Sequence, residues 1–131
     1  MPQYIERTAA FYEREILKYG VVGTEAVANI VVDATTVSAN SDGRYVLEVG
    51  TVISKIGASS KVKPAPASAL AQADVVGILA HTIEFFGNAD AKYDEPGAVF
   101  FWGAIFDASE LTNYSGNATN VKAALNTCKF E

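Results

Sequence analysis

Residues 44–56 (RYVLEVGTVISKI), 74–86 (DVVGILAHTIEFF) and 96–111 (PGAVFFWGAIFDASEL) decide the reading of this chain. Each is a run of β-branched, aromatic and small residues bounded by polar, glycine or proline connectors, the composition of strands separated by turns. In the first run Tyr45, Leu47, Val49, Thr51 and Ile53 share one face by period-two alternation. Val46, Glu48, Gly50, Val52 and Ser54 share a more mixed one, as in a half-buried strand. The second and third runs carry apolar side chains on both faces: Val75, Leu79, Ile83 and Phe85 against Val76, Ile78, Ala80 and Phe86, then Val99, Phe101 and Ile105 against Phe100, Trp102 and Phe106. Both faces must then be covered, inside a small barrel or against a neighbouring chain.

Working outward, the connectors are loops. Residues 57–60 (GASS) turn the chain, residues 61–66 (KVKPAP) are extended and proline-stiffened, and residues 113–117 (NYSGN) precede an expected short C-terminal helix. That helix takes Thr119 or Asn120 as its N-cap and Val121, Ala124, Leu125 and Cys128 as its face. Towards the N-terminus, Ile5, Ala9, Tyr12, Ile16 and Tyr19 fall at helical spacing, which predicts a helix over residues 5–19 stopped by Gly20. Phe11 and Leu17 lie off that face and give the helix a second apolar surface. Residues 21–43 follow with β-branched runs and end in the loop Asn40-Ser-Asp-Gly. The segment packs either on its own domain or, as an arm, on something else.

The chain has 131 residues, half of them hydrophobic, only 19% charged, and a formal net charge of −5. One domain is expected, with enough apolar and too little charged surface to suggest cover by another subunit. The acidity argues against nucleic-acid binding, which draws its affinity from phosphate neutralisation. No apolar run approaches the ~20 residues of a membrane span, and residues 1–20 lack a signal-peptide core, so a cytosolic setting is expected. The single cysteine, Cys128, allows no disulfide within one chain.

Chemistry-bearing residues are sparse. His81 is the one histidine, with Glu84 as its nearest acid in sequence; a structural histidine is the simpler reading. Cys128 reads as a small core residue. Asp90, Asp94 and Glu95 beside Pro96-Gly97 read as a solvated turn, at a spacing that matches no calcium loop. An enzyme would have to use His81 with Glu84 or with an acid of the 90–95 loop. A ligand-binding module, for carbohydrate, would use Trp102, Phe101 and Tyr93 as a stacking surface.

Four pieces in order carry a resemblance: residues 47–55 (LEVGTVISK), 74–80 (DVVGILA), 98–106 (AVFFWGAIF) and the closing 121–125 (VKAAL) with Phe130. Over residues 44–130 the chain resembles the head decoration, or capsid cement, family of tailed bacteriophages, which includes the lambda head decoration protein. The resemblance implies a homotrimer on the outside of an expanded head, in a virion assembled in the host cytoplasm. The trimer would clamp neighbouring subunits of the phage major capsid protein and stabilise the shell against internal DNA pressure. It implies no catalysis, no cofactor, no metal, no nucleic-acid contact and no membrane. In similar proteins the N-terminal segment orders on the shell, sometimes adding a strand to it.

The expected fold is therefore mainly β with minor α. A compact small β-barrel or β-tulip-like domain spans residues 44–131, with the short C-terminal helix and an N-terminal arm over residues 1–43. The capsid-contacting side chains expected on that arm are Tyr4, Ile5, Phe11, Tyr12, Ile16, Leu17 and Tyr19. The residue pattern of the arm leaves open whether it binds as helix or strand.

Overall fold

A computed structural model describes residues 15–19, 23, 25–87 and 92–131. The described strands are β1 Ala26–Val32, β2 Tyr45–Leu47, β3 Val52–Lys55, β4 Val62–Pro64, β5 Val75–Leu79, β6 Ile83–Phe85, β7 Glu95–Trp102, β8 Ile105–Phe106 and β9 Lys129–Phe130, with one described α-helix, α1, Ala118–Ala124, before β9 and four single-turn 3-10 helices. Each of the three long apolar runs is broken once. Gly50, at φ 89°, separates β2 from β3. A bend at His81 separates β5 from β6, and Gly103, at φ 69°, separates β7 from β8. Both glycine conformations are left-handed, where a side chain is strained. A Cβ on Gly50 would also lie 2.9 Å from Ile16 Cγ2 and 3.1 Å from the Glu110 carbonyl.

The principal sheet has neighbours in the order β4-β3-β5-β7-β1, antiparallel throughout, and β1 meets β4 again through one parallel residue pair, Val32 with Val62. The small barrel or tulip-like body expected from the sequence is corrected accordingly. The fold is mainly β on one five-stranded sheet, and a single residue pair between β1 and β4 is not a continuous barrel wall. Two small pairs flank this sheet, β2 with β6 antiparallel and β8 with β9 parallel.

Both faces of the central strands β3 and β5 are largely buried, by this chain's own residues. Val52 pairs with Ile78 and Ile78 with Phe100, so these three share one face. That face packs under Ala65, Leu70, Tyr114, Val121, Leu125 and Phe106. Leu79 pairs with Val99, and with Ile30, Val32, Ile53 and Val62 they form the other face, closed by Leu47, Ile83 and Phe85 of the β2–β6 pair. The two-sided apolar pattern of β5 thus has an internal explanation.

Residues 26–32, expected within the arm, form β1, matched along its length to β7. The expected helix over residues 5–19 is also corrected where it is described. Residues 16–18 are extended: Leu17 bridges Phe106 antiparallel, the Lys18 amide donates to the Ile105 carbonyl (2.9 Å) and the Asp107 amide donates to the Ile16 carbonyl (2.7 Å). Residues 5–14 lie outside the described residues. Strand β8 therefore has residues 16–18 on one side and β9 on the other, which ties both ends of the described chain to one place. Here tertiary pairing overrides a helical spacing, which is a weak signal by itself. The C-terminal helix starts slightly earlier than expected, with Asn117 rather than Thr119 or Asn120 at its N-cap position.

Candidate functional site

The candidate site is a surface, built by β1 and β7. Phe100 of the covered row pairs onward with Val27 of β1, so the row Val52, Ile78, Phe100, Val27 crosses four strands. Its first members lie beneath the C-terminal cover, whereas Val27 is 53% exposed. Two residues along the strand comes Asn29, opposite Ala98, and then Val31, 41% exposed, opposite Pro96. All six positions on this face of the β1–β7 pair, Val27, Asn29, Val31, Pro96, Ala98 and Phe100, are uncharged. At one end the register shifts between Ala26 and Val27, as at a β-bulge, where Trp102 is 54% exposed and Phe101 is also exposed. An uncharged, mostly apolar band in a chain of net charge −5 suits contact with another macromolecule.

The residues expected to contact the capsid are divided. Ile16 and Leu17 are 4% and 8% exposed, in the cluster with Val49, Phe106 and Leu125, so they serve the chain's own core. Tyr19 is exposed and its hydroxyl donates to Glu131 Oε1 (3.3 Å). Tyr4, Ile5, Phe11 and Tyr12 lie outside the described residues.

The groups weighed for catalysis are arranged as follows. His81 is exposed at the bend between β5 and β6. Both Glu84 carboxylate oxygens accept from Arg44, from Nε at 2.8 Å and Nη2 at 2.6 Å. That charge-assisted hydrogen bonding holds the Glu84 carboxyl below its usual range and raises the guanidinium. Glu84 is thus fixed as an anion across the β2–β6 pair. Asp94 accepts from the Lys61 ammonium and from the Ala34 amide, and these bonds, Lys61 foremost, lower its carboxyl. Asp90 lies outside the described residues. Cys128 is buried in the core. Among the described residues, no three of His, Cys, Asp and Glu gather as metal ligands would, and no described helix is long and apolar enough to cross a membrane.

The carbohydrate surface suggested by Trp102, Phe101 and Tyr93 is not assembled. Tyr93 lies just before the start of β7 and Trp102 ends it, so a strand of eight residues separates them. At ~3.3 Å per residue that is roughly 20 Å or more, and Tyr93 adjoins Phe86 instead, its amide donating to the Phe86 carbonyl (3.1 Å).

Sequence reasoning missed Val27 and Val31 as surface residues and Asn117 as an interior one. Asn29 between the two valines was the only polar mark of an outward row. Asn117 is 5% exposed. It accepts from the Leu70 amide and donates to the Pro66 and Asn113 carbonyls, pinning the 66–70 loop to the start of α1.

Comparison with family models, with curated proteins and with solved structures finds no match to the chain.

Proposed function

We propose that the protein is a structural decoration protein of a tailed-phage head. It binds as trimers to the outside of the expanded shell and stabilises it against internal DNA pressure. The observation that supports this reading is the uncharged β1–β7 face, with Val27, Val31 and Trp102 exposed beside a core that is otherwise filled. A protein whose task is attachment needs such a face on a rigid body, and needs no cleft. The resemblance over residues 44–130 gives the partner, the major capsid protein, and the threefold symmetry. The engagement of Glu84 and Asp94 by Arg44 and Lys61 fits a body in which charged side chains brace strands.

The test is attachment. Purified protein is mixed with expanded empty heads made from the major capsid protein of the same genome, and the heads are sedimented. The chain is expected in the pellet, saturating at a fixed ratio to capsid subunits. Protein that stays in the supernatant at every ratio would overturn the proposal.

A further inference from the structure

The junction of β1 with β4 is the thinnest part of the principal sheet. It has one register pair, Val32 with Val62, and a backbone hydrogen bond just beyond it, from the Asp33 amide to the Val62 carbonyl at 2.9 Å. Neighbouring junctions are longer: β1 is matched to β7 over all seven of its residues. At this place a single side chain reaches three elements. Asp94 stands immediately before β7; its Oδ1 accepts from the amide of Ala34, just past β1, at 2.8 Å. Its Oδ2 accepts from the ammonium of Lys61, the residue before β4. The strand ends Val32 and Val62 at this junction are fully and nearly fully buried.

We propose that Asp94 is a clasp on the β1–β4 junction, and that its release is the lowest-cost local opening of the sheet. The carboxylate reaches both sides of a junction whose strands share a single register pair. Both of its bonds are charge-assisted, the stronger class of hydrogen bond. Local opening follows where few bonds hold an element. Release of the clasp frees the Ala34 amide and uncouples Lys61, so the end of β1 parts from β4 while β3, β5 and β7 stay paired. This inference does not depend on the decoration role.

Native-state amide hydrogen exchange tests it. The Asp33 amide, bonded to Val62, reports on the junction. The Leu79 amide, bonded to the Thr51 carbonyl at 3.0 Å, reports on the centre of the sheet. In Asp94→Ala, exchange at Asp33 is expected to quicken about two- to fivefold, the modest effect of losing a partly exposed charge-assisted pair, with Leu79 unchanged. Lys61→Met, which keeps the Ala34 bond, is expected to give a smaller acceleration at Asp33 and also serves if Asp94→Ala does not fold. Unchanged exchange at Asp33 in the folded variants would overturn the clasp. Equal acceleration at Asp33 and Leu79 would also overturn it, because Asp94 would then be adding only to global stability.

Discussion

Phe106 shows how far one side chain organises this molecule. It is fully buried, meets Phe100 edge-on at 6.1 Å and stacks on Phe130 at 5.2 Å, which in turn stacks on Tyr114 at 4.8 Å. Replacing it with alanine removes the link between the sheet and the C-terminal cover. Phe106→Ala is expected to cost about 3–5 kcal/mol, read as a shift of the urea midpoint at unchanged slope. The same run of sequence supplies Phe101, at the surface, where alanine is expected to change stability by less than about 0.5 kcal/mol. At this scale acid also acts. Glu84, Asp94 and Asp107 are held below the usual carboxylate range, chiefly by hydrogen bonds from Arg44, Lys61 and Ser109 respectively. A carboxylate depressed on folding stabilises the protein fully above its ordinary pKa of ~4, and that contribution is lost as pH falls through the folded value. Urea melts are therefore expected to weaken below about pH 4, and to weaken less when Glu84→Gln and Asp94→Asn are combined. The pairs are exposed, so the effect is modest and shrinks in salt.

At the scale of elements, the segment at residues 16–18 changes what a truncation means. Ile16 and Leu17 fill the core, and the backbone here pairs with β8. Removing residues 1–19 strips two buried side chains, each worth about 2–5 kcal/mol when deleted from a core, whereas removing residues 1–14 leaves both. The longer truncation is expected to melt well below the shorter one, and equal melting temperatures would show that the pairing with β8 is idle. The arm reading further expects the shorter truncation to sediment less with heads than the intact chain. Much of this element pattern was legible in the sequence. The β-branched and aromatic composition of residues 44–56, 74–86 and 96–111 marked strands. The half-buried alternation expected for 44–56 does not hold: residues 49–54 are all buried, and across the corner at Gly50 Val49 joins the cluster of Val52 while Leu47 and Ile53 join the other. Of the expected helix face, Val121, Leu125 and Cys128 are buried and Ala124 is half-buried, but α1 ends at Ala124, so Leu125 caps it and Cys128 lies in the turn beyond. The breaks inside the runs were not legible. Gly50 and Gly103 read equally well as strand glycines, and only their positive φ in the folded chain makes them corners. The pairing of residues 16–18 with β8 spans most of the chain length, which no local spacing can carry.

For the whole molecule, the covered faces of β5 remove one argument for assembly, since its two-sided apolar pattern is satisfied within the chain. The argument that remains is the uncharged β1–β7 face, which was hidden in the sequence because Val27 and Val31 look no different from Ile30 and Val32. Val27→Lys and Trp102→Lys place charge on that face at positions already exposed, so the fold is expected to hold with little change in melting temperature. Attachment to heads or self-association is expected to fall at least about tenfold, as for loss of a central interface contact. Unaltered assembly in both variants would move the working surface elsewhere. The central claim, that this chain decorates an expanded head as a trimer, is tested most directly by an electron-microscopic reconstruction of expanded heads incubated with the protein. The account expects added density on the outer surface at the local threefold positions, with three copies of the five-stranded body in each. Bare threefold positions, or density elsewhere on the shell, would contradict it.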